Sequence, residues 1–141
     1  MIISPYMRGT LRYEGKATME KLVFIVDDNQ VTLATGASAL EKDFKVLTMQ
    51  TAKQMFNLME IFKQSPDLII LDVEMPEMNG FDAIYELKKR QKWKDIPVIF
   101  LTGWSDDGLR DDALNNGAYD IIAKPFEPEA LLESVKKCLE K

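Results

Sequence analysis

The sequence predicts a doubly wound α/β domain, a five-stranded parallel sheet with helices on both faces. Three observations carry that expectation. Short apolar runs alternate strictly with stretches whose apolar residues recur at helical spacing, five of each; such alternation implies parallel strands joined by right-handed crossovers. The run LIIL at 68–71 has no polar member, as a strand buried on both faces requires. The chain has 141 residues, 46% of them hydrophobic and 29% charged, which is the size and balance of one globular domain.

LVFIV (22–26) is the first strand, closed by Asp27-Asp28-Asn29. Leu33, Ala37, Leu40 and Phe44 follow at spacings of four, three and four, one face of an amphipathic helix. FKVLTM (44–49) is the second strand. Ala52, Met55, Phe56, Met59 and Phe62 form the next helical stripe, ended before Pro66. DLIILD (67–72) is the third strand, apolar inside and acidic at its exit. Asn79-Gly80 marks a turn, after which Phe81, Ile84, Leu87 and Lys88 continue as a helix into the charged run KKRQKWKD. PVIFLT (97–102) is the fourth strand. A weaker helix over 106–115 is anchored by Leu109 and Ala113 and stopped at Asn116-Gly117. AYDIIA (118–123) is the fifth strand. Beyond Lys124-Pro125-Phe126, Glu127 opens a last helix with Leu131, Leu132, Val135 and Leu139 on one face.

Composition removes several kinds of chemistry. The chain has no histidine, which excludes a Ser-His-Asp triad, a zincin site and phosphohistidine chemistry of its own. A single cysteine, Cys138, excludes an intrachain disulfide and a multi-cysteine metal site. No run approaches the ~18 apolar residues of a membrane span, and the opening MIISPYMRGT lacks the apolar stretch of a signal peptide; the expected location is the cytoplasm. Residues 1–18 hold Pro5, Gly9 and Gly15 and no apolar period, and they read as an N-terminal extension, with 19–141 as the domain and Met19 as an alternative start. That extension carries three basic residues and one acidic, which leaves the rest of the chain with 15 basic against 22 acidic. An acidic body argues against direct contact with nucleic acid, which is held through basic footprints.

In an open parallel sheet, ligands bind outside the carboxyl ends of the strands. The first strand ends in Asp27-Asp28, the third in Asp72 and the fourth in Thr102, and the fifth runs into Lys124. Each has a plainer reading when taken singly, because Asp after a strand is a common turn former or cap. Taken together they bring three carboxylates, a hydroxyl and an ammonium to one edge. Carboxylates so grouped repel one another unless a cation intervenes, and hard oxygen ligands without His or Cys suit Mg²⁺. A carboxylate facing such a cation and a Lys is placed to attack phosphorus. The bottom-up expectation is a phosphoryl-accepting aspartate.

The segments VDDN (26–29), LDVEMPEMNG (71–80), PVIFLTG (97–103) and GAYDIIAKPF (117–126) resemble the response-regulator receiver domain of two-component signalling, and with their spacing they cover essentially all of 20–141. The resemblance implies a flavodoxin-like sheet of strand order 2-1-3-4-5, with Asp72 as phosphoacceptor. It implies Mg²⁺ bound directly by Asp28, Asp72 and the main-chain carbonyl of Glu74, with Asp27 acting mainly through water. Thr102 would bond to a phosphoryl oxygen, Lys124 would pair with the phosphate or with Asp72, and Lys124-Pro125 would be a cis peptide. The implied donor is a phosphohistidine on a sensor histidine kinase or His phosphotransfer protein, with small phosphodonors as substitutes. An output protein or domain would read the result, and the resemblance leaves room for a homodimer. No membrane contact is implied, and the chain would be a self-phosphorylating and self-dephosphorylating switch rather than a metabolic enzyme.

Three positions depart from the family pattern. Ile121 stands three residues before Lys124, where the family usually has an aromatic; Tyr119 lies two earlier, on the same face by strand period. Glu74 and Trp104 stand two residues after Asp72 and Thr102, where side chains flank the phosphoryl group. Glu74 would repel anionic donors or orient a water, and the indole would screen the acyl phosphate or anchor a partner. The acidic group Asp106, Asp107, Asp111 and Asp112 reads as a solvated face. Two alternatives are weaker. A Mg²⁺-dependent phosphatase with an aspartyl nucleophile wants Asp where Glu74 stands, and a phosphorylation-independent interaction module leaves Asp28, Asp72, Thr102 and Lys124 without a purpose.

Overall fold

The computed structural model describes residues 21–104 and 107–140, apart from the side chain of Asp107. The expected extension over 1–18, and Asp106 of the acidic group, lie outside the described residues. Five strands and five helices alternate: β1 (Leu22–Val26), α1 (Gln30–Leu40), β2 (Lys45–Met49), α2 (Ala52–Ile61), β3 (Leu68–Asp72), α3 (Gly80–Lys88), β4 (Val98–Thr102), α4 (Asp107–Asn115), β5 (Asp120–Ala123) and α5 (Pro128–Leu139). The sheet is wholly parallel, in the order β2-β1-β3-β4-β5. This is the predicted class and order. No helix among the described residues is long and apolar enough to cross a membrane.

The pleat divides the core in two. Because alternate residues of a strand face opposite ways, Phe24, Val26, Ile69, Leu71, Val98 and Phe100 join Met55 and Met59 of α2 and Ile84 and Leu87 of α3 on one side. Val23, Ile25, Leu68, Ile70, Ile99 and Leu101 join Leu33 and Leu40 of α1 and Leu131 and Val135 of α5 on the other. Every residue of β3 and β4 is buried, which fits their near-continuous apolar sequences.

Helix ends follow local chemistry. The Asn29 side chain accepts from the Val31 and Thr32 N–H groups and starts α1. Asn79 and Asp82 cap α3 reciprocally, Asn79 Oδ1 accepting from the Asp82 N–H at 2.8 Å and Asp82 Oδ2 from the Asn79 N–H at 3.2 Å. Three expectations from the sequence are modified. On α1 the deepest contact between Leu33 and Leu40 is Gly36 rather than Ala37, since a Cβ at 36 would stand 3.0 Å from Ile25 Cδ1. Phe62 follows the end of α2 and is exposed, because the chain turns there through Lys63 at φ 56°. On α5 the buried face is Leu131, Ser134, Val135 and Cys138, with Leu132 and Leu139 only partly covered; Ser134 is accommodated by donating to Asp120 Oδ2 at 2.8 Å.

Candidate functional site

Strand order reverses between β1 and β3, and the crevice of a doubly wound sheet opens at the carboxyl ends of such a pair. Backbone bonds carry the ladder one residue past the strands and fix what emerges. The Asp27 N–H donates to Met49 O at 3.0 Å, the Val73 N–H to Leu101 O at 2.9 Å and the Lys124 N–H to Thr102 O at 2.7 Å. Asp27, Asp72, Thr102 and Lys124 therefore leave the sheet side by side. Gly80 sets the loop that follows Asp72: its N–H donates to Val73 O at 2.9 Å, and a Cβ there would lie 2.8 Å from Asp72 O and 2.9 Å from Val73 Cα. Only glycine lets the start of α3 come that close.

Burial makes the group chemically unusual. Asp27 is 0% exposed, Asp72 1% and Thr102 2%, whereas carboxylates are rarely buried without a partner. The partner is Lys124, whose Nζ lies 3.0 Å from Asp27 Oδ2 and 3.2 Å from Asp72 Oδ1. Asp27 Oδ1 also accepts from the Asn29 N–H at 2.8 Å, and Asp72 Oδ1 from the Glu74 N–H at 3.2 Å. Burial, and then the charge of Asp27, push the Asp72 carboxyl up to about 6 against the pull of Lys124. Burial works against the Lys124 ammonium as well, but its bond to Asp27 and the charges of Asp27 and Asp72 outweigh that and hold it above the usual lysine value. The Lys124-Pro125 peptide is cis.

Asp28 is exposed at the mouth of the crevice. One oxygen from each of Asp27, Asp28 and Asp72 lies within 4.8 Å of the others. All-oxygen donors, two of them buried and one open to solvent, fit a small hard divalent cation that retains water, as Mg²⁺ does. The predicted residues Asp27, Asp28, Asp72, Glu74, Thr102 and Lys124 are thus all in one place.

The Glu74 side chain, expected to flank the phosphoryl group and to repel anionic donors or orient a water, is instead tied into the site by hydrogen bonds. Its Oε2 accepts from Thr102 Oγ1 at 3.2 Å, and its Oε1 from the Gly103 N–H at 3.4 Å. Thr102 Oγ1 accepts in turn from the Trp104 N–H at 3.0 Å. The Gly103 N–H is a member of the site that sequence reasoning missed, since a main-chain donor has no side-chain signature. The Trp104 indole is exposed. Tyr119 falls just before β5 rather than inside it and is exposed, while Ile121 is half-buried on the α2–α3 side of the sheet. Strand period therefore does not carry Tyr119 onto the face of Ile121.

Comparison with known proteins matches this chain to the response regulator receiver domain family over residues 23–136. Among relatives, the response regulator SaeR of Staphylococcus aureus is 36% identical over 118 residues, 83% of this chain and 50% of SaeR. The C4-dicarboxylate transport transcriptional regulatory protein DctD of Pseudomonas aeruginosa is 32% identical over 120 residues, 85% of this chain and 25% of DctD. This chain thus spans half or less of the length of these two regulators. An uncharacterised 14.6 kDa protein of Leptolyngbya boryana is 33% identical, with 83% of this chain and 89% of that protein aligned. Among solved structures, the BeF₃-activated DrrB receiver domain is 30% identical with a TM-score of 0.78, covering 87% of this chain and 100% of that one. A receiver domain protein of Methanospirillum hungatei described as CheY-like is 28% identical with a TM-score of 0.75, covering 85% of this chain and 94% of that one. The chain belongs to the response regulator receiver domains of two-component signalling.

Proposed function

We propose that this domain accepts a phosphoryl group on Asp72 from a partner phosphohistidine and, through that modification, shifts a conformational equilibrium read by an output protein or domain. One observation carries the reading: a nearly fully buried carboxylate shares Lys124 with a second buried carboxylate, beside the hydroxyl of Thr102. A buried aspartate so close to another is costly to keep unless its charge is used. In the reaction, an Asp72 oxygen bonds to phosphorus as the P–N bond of the donor breaks, with its electron pair leaving on the imidazole nitrogen. Lys124 holds the Asp72 oxygen and meets the added negative charge, and Thr102 donates to a phosphoryl oxygen. Asp28, Asp72 and the Glu74 carbonyl would hold Mg²⁺, with Asp27 acting through water; the ion supplies charge neutralisation at phosphorus. Water later attacks the acyl phosphate, releases inorganic phosphate and restores the carboxylate.

The partners of this reading are a sensor histidine kinase or His phosphotransfer protein upstream and an output component downstream, all in the cytoplasm. The domain itself, residues 19–141 with 1–18 as an extension, makes no direct nucleic-acid contact. The test is intact mass after incubation with acetyl phosphate and Mg²⁺. The wild type is expected to gain one phosphoryl group, while Asp72→Asn, or the wild type in EDTA, gains none. Uptake by Asp72→Asn, or no uptake by the wild type, would overturn the assignment.

A further inference from the structure

Glu74 is exposed, yet its carboxylate is held by two donors at the exit of β4, the hydroxyl of its last residue Thr102 and the N–H of Gly103. Thr102 Oγ1 accepts from the Trp104 N–H and gives its one proton to Glu74, whose carboxylate can only accept. The main chain of the same residue is tied to Asp72 Oδ1 through the Glu74 N–H. A hydroxyl and a main-chain N–H converging beside a nucleophilic carboxylate make a small anion site. The anion in it here belongs to the chain itself.

We propose that the Glu74 side chain is an internal ligand of the donors that receive the phosphoryl group, and that an incoming group must displace it from Thr102 and Gly103. This rests on the reading of Asp72 as acceptor. No covalent bond to Glu74 forms. The carboxylate and a phosphoryl oxygen compete for the same two hydrogen bonds, so the domain answers only to donors strong enough to offset that exchange. Simple repulsion of anions by Glu74 is a different mechanism, and chemistry separates the two. Thr102 and Gly103 donate to different carboxylate oxygens; a glutamine keeps one of these acceptors and lacks the charge, whereas an alanine lacks both acceptors and the charge.

Beryllofluoride, a non-covalent phosphoryl analogue, is titrated calorimetrically against the wild type, Glu74→Gln and Glu74→Ala at saturating Mg²⁺, with thermal melts confirming that each variant is folded. Displacement predicts about tenfold tighter binding by Glu74→Ala and a smaller gain, about threefold, by Glu74→Gln. It further predicts that the gain from Glu74→Ala shrinks in a Thr102→Ala background, where one of the contested donors is gone. Equal gains for Gln and Ala, or a gain undiminished in Thr102→Ala, would assign the effect to repulsion and overturn the proposal. If the wild type binds and Glu74→Ala binds no tighter, the proposal fails while the acceptor reading stands. If no variant binds and the wild type takes no phosphoryl group, both fall together.

Discussion

Aspartates close both ends of this sheet under opposite physical conditions. At the amino end, Asp67 is exposed and serves the backbone: its Oδ2 accepts from the Leu22 N–H at 2.8 Å, and its own N–H donates to Leu22 O at 2.7 Å, clamping the start of β3 to β1. At the carboxyl end, Asp27 and Asp72 are out of water and depend on one half-buried lysine. The residue type and the strands are the same. What separates a structural clamp from the carboxylate proposed to accept phosphate is desolvation and the charge placed beside it.

The largest expected effect breaks the carboxyl end. Lys124→Ala leaves two buried carboxylates without their cation, and removing one partner of a buried pair costs about 3–5 kcal/mol. Asp67→Ala loses one neutral-donor hydrogen bond at the surface and is expected to cost about 1 kcal/mol or less. Urea unfolding at pH 7 in EDTA compares them directly. Losses of equal size would mean that burial at the two ends does not differ in energetic consequence.

Asp72→Asn sharpens the contrast by reversing its sign. The Asp72 carboxyl titrates at about 6 in the folded domain against 3.8 for the ordinary group. Between those values the native state binds more protons than the unfolded one, so this group makes stability fall as pH rises. Above the folded-state value, the ionised carboxylate costs the fold about 3 kcal/mol, because each pH unit separating the folded from the unfolded titration is worth about 1.4 kcal/mol. The neutral variant escapes that cost. In EDTA its melting temperature is expected to match the wild type near pH 4 and to exceed it progressively up to pH 7. If the acidic group holds Mg²⁺ as proposed, added Mg²⁺ is expected to stabilise the wild type more than the variant and to narrow the gap. A gap independent of pH would mean that desolvation of Asp72 is not what is being relieved.

Much of this was readable from the residues because a parallel sheet sends all its strand exits to one edge. Asp27, Asp28, Asp72, Thr102 and Lys124 each end or follow a strand, so alternation alone brings them together. The apolar runs of β3 and β4 announced their burial in the same way. Side chains whose state depends on where an element stops were harder. Phe62 continues the apolar stripe of α2, but the helix ends one residue earlier and leaves it in solvent. Tyr119 precedes β5 by one residue and escapes strand period. Ser134 on the buried face of α5 needed Asp120, fourteen residues away, to become acceptable. The grip of Thr102 and Gly103 on Glu74 lies furthest from sequence, since it joins the loop after β3 to the exit of β4 and half of it is main chain.

The smallest expected effect tests whether the loop after Asp72 is positioned by its own strain. Among the described residues, two non-glycine residues have left-handed backbones, Lys63 at φ 56° just past α2 and Glu77 at φ 72° between Asp72 and α3. At Glu77 the chain is pinched further, the Met78 N–H donating to Pro76 O at 2.7 Å across it. For an L residue this conformation costs roughly 1–2 kcal/mol, part of which a glycine returns as unfolded-state entropy. Lys63→Gly and Glu77→Gly are therefore both expected to stabilise, each by about 0.5 kcal/mol. Their effects on phosphorylation should part. Lys63 stands away from the carboxyl edge, so its variant should take phosphate from acetyl phosphate at the wild-type rate. Glu77 lies in the short connection that holds Asp72 and Glu74 in register with Gly80, and loosening it should slow uptake two- to threefold, since misplacement of a reacting group is felt directly in rate. Equal rates for the two variants would show that the capping of α3 by Asn79 and Asp82, together with the close approach at Gly80, fixes the acceptor without help from the strained residue between them.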